Sequence, residues 1–235
     1  MSASLLKIIA LVFMVIDHLG YFFPTLTPPW FRILGRASFP IFMFLFIESY
    51  HYTSNRKLYF NRLINYSNIM IATNILILTI SQKYNLNSHI IDPFKPNIFL
   101  TFTLCFTILD FIERLGTTNR ITTICNNIFI LLILLTLSSF VEYSTYAIFM
   151  LFTFYIFRNK KIIRNIIFTI GSLVIPLLLN NPVQMAMVLA IIFIIEYTGE
   201  KSIYKSKQTK TSKYFFYNFY VLHIFFFSLL SFFIK

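Results

Sequence analysis

Long apolar runs broken by short polar stretches dominate the chain from end to end. They cover residues 5–23, 33–50, 63–81, 97–113, 121–140, 144–157, 162–180, 183–197 and 214–234. Most approach the ~20 residues that an α-helix needs to cross the hydrocarbon core of a bilayer. The pattern predicts an all-α protein, a polytopic bundle of about eight or nine transmembrane spans. The sixth and eighth runs are short, which leaves open tilted neighbours, partial spans or one re-entrant pair. The breaks carry turn chemistry: Pro24 with Pro28 and Pro29, Pro93 with Pro96, and Asn180–Asn181–Pro182. No internal repeat or linker divides the chain, so residues 1–235 read as a single integral membrane domain. The first run meets Asp17 and His18 rather than a small-residue cleavage site, which predicts a retained helix and not a removed signal.

Charge then gives a direction. With the N-terminus cytoplasmic, alternate loops hold 14 Lys and Arg on the inside and 3 on the outside. The inner set is Arg56, Lys57, Arg62; Arg114, Arg120; Arg158, Lys160, Lys161, Arg164; and Lys201, Lys205, Lys207, Lys210, Lys213. This asymmetry is the positive-inside bias, and nine spans make it alternate without error. It also explains the net charge of +12, which in a soluble chain would suggest nucleic acid. Composition agrees: charged residues are 12% against the ~25% of a soluble domain, and aromatics reach 19%. Lipid is the expected partner, and nucleic acid is not. Cys105 and Cys125 lie inside apolar runs with no metal or disulfide spacing, and read as small buried hydrophobes.

Ionisable residues at membrane depth cost about 2.5–3.5 kcal/mol each on insertion scales and call for a reason. The first run holds Asp17 and His18, the second Arg32, Arg36 and Glu48, the fourth Asp110 and Glu113, and the last His223. In the predicted topology Asp17, His18, Arg32, Arg36 and Glu142 lie toward the outer half. Arg32 and Arg36 are four apart, hence on one helix face, where paired guanidiniums can clamp a carboxylate or phosphate. A His beside a carboxylate is a candidate general base. The bland readings are an Asp17–Arg36 ion pair between two helices, an interface-marking Arg32 and a helix-bonding His223. Glu48 and His51 then read as cytoplasmic-end residues. Asp110, Glu113 and Arg114 read as a solvated helix end. Pattern alone does not separate an enzyme from a transporter.

Three segments are specific together: Met14–Val15–Ile16–Asp17–His18–Leu19–Gly20, Arg32–Ile33–Leu34–Gly35–Arg36–Ala37–Ser38–Phe39–Pro40, and Lys213–Tyr214–Phe215–Phe216–Tyr217–Asn218–Phe219–Tyr220 leading to His223. With Asn97, Thr101 and Gln184 between them, this order resembles the TraX family of bacterial membrane proteins, from residue 5 to about 225. The resemblance implies a membrane acetyltransferase of the acyltransferase-3-like group in the bacterial cytoplasmic (inner) membrane. Acetyl-coenzyme A would be the donor, with no metal required. The acceptor would be an amine or hydroxyl of an exported or cell-envelope molecule, such as a pilin or other peptide N-terminus or a glycan. Carried over by position, the motif residues are Asp17, His18, Arg32, Gly35, Arg36, Asn97, Thr101, Gln184, Tyr217 and His223. The chain departs from the family pattern at Glu142–Tyr143–Ser144, at Tyr197–Thr198–Gly199, at Val221 and near Ser49.

The implied mechanism has His18, oriented by Asp17, deprotonate the acceptor, with His223 as the rival base. Arg36, with Arg32, stabilises the oxyanion or grips a ligand anion. Asn97, Thr101, Gln184 and Tyr217 are the expected cavity partners. Arg56, Lys57 and Arg62 are expected to meet the phosphates of coenzyme A. A donor arriving from the cytoplasm predicts a narrow tunnel from the inner end, passing near His223. The other readings kept open are a small-solute transporter and a non-catalytic assembly partner for pilus or export machinery.

Overall fold

The computed structural model describes residues 1–90, 92–115, 121–198 and 210–234, with backbone alone at 121–124 and 210–213. Every regular element among them is helical. Ten α-helices follow in order: α1 (Ala3–Phe22), α2 (Trp30–Gly35), α3 (Ser38–Tyr52), α4 (Arg56–Lys83), α5 (Ile98–Leu115), α6 (Ile121–Leu137), α7 (Ser144–Ile156), α8 (Lys161–Leu178), α9 (Ala190–Ile195) and α10 (Lys210–Leu230). A 3-10 segment, Pro182–Leu189, runs into α9. Each predicted apolar run therefore holds a helical element. Four stretches are long and apolar enough to cross a membrane: Ala3–Phe22, Trp30–Tyr52, Arg56–Lys83 and Lys161–Leu178. Of the predicted inner-loop cations, Arg120, Lys201, Lys205 and Lys207 lie outside the described residues, as do Gly199 and the side chains of Lys210 and Lys213.

Local chemistry sets the helix ends. Ser2, Asn55 and Asn97 accept backbone N–H groups from Leu5, Leu58 and Leu100, each capping a first turn. Asn85 and Asn180 take left-handed backbone just past α4 and α8, and the next N–H returns to Ser81 and Pro176 carbonyls. Pro40 breaks the ladder between α2 and α3. It has no N–H for the carbonyl of Arg36, four residues earlier, and its ring crowds that carbonyl. The helix opens at Arg36–Ala37, and Arg36 sits at the bend.

α1 packs on α2, α3 and α10; α4 packs on α5 and α10; α3 packs on α7. Aromatics fill the centre, among them Phe39, Tyr50, Phe154 and Phe168. The outward faces are also apolar: Ile162, Ile166, Ile170 and Leu178 on or beside α8, and Phe129 and Leu132 on α6, are all exposed. Water would not sustain such a surface, whereas lipid tails do. Cys105 is buried, but Cys125 is exposed on α6, so only the first is a core hydrophobe.

Contacts gather the helix ends into two groups. At one end Arg56 of α4 pairs with Glu113 of α5, which also accepts from Tyr155 of α7, while Arg158 pairs with Glu48 of α3 at 2.9 Å. The Glu113 carboxylate is thus taken into an interhelical pair, where the sequence suggested a solvated end. Asp110 pairs with Arg114 one turn along. At the other end the Tyr21 hydroxyl donates to the His89 carbonyl, and the connection between α6 and α7 is tied to α5 through Glu142.

Candidate active site

Two glycines permit the crossing that builds the site. A Cβ on Gly35 would lie 2.3 Å from the Asp17 Cβ, and one on Gly20 would lie 2.9 Å from the Arg32 side chain. Without side chains there, α2 lies directly against α1 and wraps Asp17. Arg32 Nη1 reaches Asp17 Oδ1 at 2.9 Å and the Asp17 carbonyl at 3.0 Å; Arg36 Nη2 reaches the same carboxylate at 3.3 Å. Asp17 and Arg36 are buried, while Arg32 keeps partial exposure and lies over the Tyr21 ring. One carboxylate holds two guanidiniums, so the cluster keeps a positive excess. The Nε of Arg36 is buried and has no hydrogen-bond partner among the described residues. It is a donor set in place for an incoming anion or carbonyl.

Asp17 and His18 are adjacent, so their side chains leave α1 about 100° apart. Asp17 turns to the arginines, and His18 turns to α10. His18 Nδ1 lies 2.6 Å from His223 Nε2, with both rings buried. His223 Nδ1 lies 2.8 Å from the Phe219 carbonyl. A carbonyl only accepts, so the network assigns the proton on His223 to Nδ1. Its Nε2 is then an acceptor, and His18 Nδ1 must donate to it. This leaves the lone pair of His18 on Nε2. His18, not His223, is the ring with a free basic nitrogen, and His223 is its orienting partner. The sequence assigned that orienting role to Asp17, because spacing along a helix does not show which neighbour a side chain turns to.

His18 lines a cavity of about 290 Å³ at the C-terminal end of α1, together with Asp17, Tyr21, Arg32, Arg36, His89, Asp92, Lys95, Glu142 and Tyr143. Glu142, Tyr143, His89, Asp92 and Lys95 were not among the predicted site residues. They come from connections that the fold brings over α1, and the departure from the family pattern at Glu142–Tyr143 was the available signal. Glu142 accepts the Asn97 N–H at 2.9 Å through one oxygen. Burial pushes its carboxyl up to about 7, against the opposing pull of that N–H and of Arg36. Tyr143 holds left-handed backbone, φ 62°, and stacks on Phe39 at 3.8 Å. A bulky residue in that conformation is strained and held by its surroundings.

A second cavity, of about 890 Å³, enters from the N-terminal end of α1. Lys7, Arg62 and Tyr52 are among its polar lining residues, with Tyr217, Phe99 and Phe102 among the aromatic ones. Tyr217 stacks on Phe99 at 5.4 Å, and the Arg62 guanidinium lies over Tyr59 at 5.6 Å. The remaining predicted residues stand elsewhere. Asn97 and Thr101 line neither cavity: the Asn97 amide donates to the Ser67 carbonyl and the Thr101 hydroxyl to the Glu142 carbonyl, fixing α5 to its neighbours. Gln184 also lines neither cavity, and its buried Oε1 has no hydrogen-bond partner among the described residues. Arg56 is engaged by Glu113 and Tyr50, and Lys57 is exposed in the first turn of α4 and lines neither cavity.

The two cavities share no lining residue, yet one stripe of α1 serves both: Lys7, Leu11 and Met14 in the first turns, then His18 and Tyr21. Between Met14 and His18 the helix rises about 6 Å. The cavities are stacked end to end with the imidazole pair beside the seam. No curated protein and no solved structure matches the chain. Residues 2–231, nearly the whole chain, match the family described as TraX protein, and the protein belongs to that family.

Proposed function

We propose that the protein is a membrane acetyltransferase, carrying an acetyl group from acetyl-coenzyme A in the cytoplasm to an amine or hydroxyl acceptor presented at the opposite face of the bacterial inner membrane. The observation that carries this reading is the pair of cavities strung along one stripe of α1, the larger reaching Met14 and the smaller taking up at Asp17 and His18 one turn on. The topology that goes with it has nine crossings: α1, α2 with α3, α4, α5, α6, α7, α8, the Pro182–Ile195 segment and α10. Two features support it. Contacts sort the helix ends into two alternating groups. The end holding Arg56, Arg158 and Lys161 is the one the positive-inside bias assigns to the cytoplasm.

In this reading the larger cavity takes the donor, with Lys7 and Arg62 at its mouth for phosphate and aromatic walls for the pantetheine arm. The smaller cavity takes the acceptor. His18 Nε2 accepts the acceptor's proton as its nitrogen or oxygen attacks the thioester carbonyl. The new C–N or C–O bond forms, the C–S bond breaks, and the proton passes from His18 to the departing thiolate. His223 spreads the charge on His18, as a third group orients the base in other acyl transfers. Arg36 Nε–H is the donor for the oxyanion, a role that contributes roughly 3–4 kcal/mol where it has been removed.

The test is calorimetry with detergent-purified protein and acetyl-coenzyme A, beside a radiolabelled transfer assay on envelope extract. Wild type is expected to bind in the micromolar range. Arg62→Ala should bind at least tenfold more weakly, and His18→Gln should bind normally but transfer nothing. A folded wild-type sample that binds no acetyl-coenzyme A overturns the proposal.

A further inference from the structure

The seam between the cavities is closed by Tyr220, a side chain inside the last motif segment that was not among the predicted site residues. Tyr220 lines the deep end of the larger cavity and is almost fully buried. Its ring also packs edge-on against both imidazoles, 6.1 Å from His18 and 5.5 Å from His223. Its hydroxyl accepts the N–H of Ile98 at 3.3 Å, so the ring is pinned to the first turn of α5 as well as to α10. Three elements thus fix one aromatic plug where the larger cavity stops, one helical turn short of the basic nitrogen's partner. Met14 stands on the α1 side of the same seam, one turn before His18. The expected narrow tunnel is therefore a wide cavity with a closed floor.

We infer that Tyr220 sets the length of the acyl group the protein accepts, by filling the floor of the larger cavity beside His18 so that only a short acyl tip fits against the ring. The inference rests on the acyltransferase reading and deepens it. The cavity itself is about 890 Å³ and is lined mainly by aromatic and aliphatic side chains, which suit a hydrocarbon chain. A hydrocarbon tail would be welcome everywhere in it except at the floor. Size selection by a packed ring is a matter of volume: each added methylene meets a side chain held on three sides, and overpacking such a place is unfavourable.

The experiment is a calorimetric series with acetyl-, butanoyl-, hexanoyl- and octanoyl-coenzyme A against the full-length protein, each variant checked for a monodisperse profile and for thermal unfolding. Wild type should prefer acetyl over hexanoyl by at least tenfold. Tyr220→Ala should shift that ratio at least tenfold toward hexanoyl, while Tyr220→Phe, which keeps the ring, should keep the wild-type order. Met14→Ala should shift the ratio in the same direction, and it decides the matter if Tyr220→Ala does not fold. An unchanged order in the widened variants, with wild type binding acetyl-coenzyme A, overturns the Tyr220 inference alone. No binding of any chain length by wild type overturns the acyltransferase reading and this inference with it.

Discussion

At the residue scale the site depends on which atom carries a proton. The relay runs from the Phe219 carbonyl through His223 to His18, and it leaves one lone pair on His18 Nε2, in a ring that lines the smaller cavity. If His223 only fills space, His223→Phe should be tolerated. If it orients and charges His18, that variant should lower kcat by about 10²–10⁴, the usual weight of a general base, while acetyl-coenzyme A affinity stays within twofold. Steady-state kinetics beside calorimetry separates these outcomes. Glu142 gives a second residue-level prediction. It lies in the connection between α6 and α7, and burial raises its folded pKa to about 7 from 4.5. A raised carboxyl pKa means that the stability it contributes is complete below pH 4.5 and is lost as pH rises through about 7. Thermal unfolding in detergent should therefore show a declining midpoint over that window, and Glu142→Gln should flatten it. A slope that is the same in both proteins would rule this out.

At the element scale the decisive contact is the crossing of α1 and α2. Gly35 is there for room: its missing side chain lets the Asp17 backbone approach, and only then do both arginines reach one carboxylate. Gly35→Ala must push α2 off α1 or twist Asp17 out of the pair. Overpacking typically costs about 1–3 kcal/mol, and a partly separated buried ion pair adds to it. The variant is expected to unfold at a clearly lower temperature and to lose transfer activity, whereas Gly171→Ala, on α8 away from the site, should lose stability only. The bend at Arg36 belongs to the same scale. The Pro40 ring opens the helix four residues upstream, where the sequence pattern predicts one helix through residues 33–50 with Arg32 and Arg36 on one face. The stop at Asn180–Asn181–Pro182 was legible, since asparagine and proline act on neighbours in the chain. The partner of each polar side chain was not, because it depends on which helix the fold sets opposite.

At the scale of the whole molecule the protein is a bundle with two distinct ends, and its sidedness is testable. In a Cys105→Ala, Cys125→Ala background, Lys57→Cys should react with an impermeant maleimide only from the cytoplasmic face. Phe94→Cys, exposed in the connection over the smaller cavity, should react only from the other face. Labelling of both from one face would break the nine-crossing topology. The sequence by itself determined that the chain is helical, where its apolar runs fall, and that several of them are apolar enough to cross a membrane. Those properties follow from composition, periodicity and neighbours within a few residues. Only the tertiary structure decided that His18 pairs with His223, 205 residues away, and not with Asp17. It alone brought Glu142 and Tyr143 over α1, removed Asn97 and Thr101 from the cavities and put Tyr220 across the seam. The physical reason is that a side chain's partner is chosen by packing across helices, and apolar helices carry almost no sequence record of which of their faces meet.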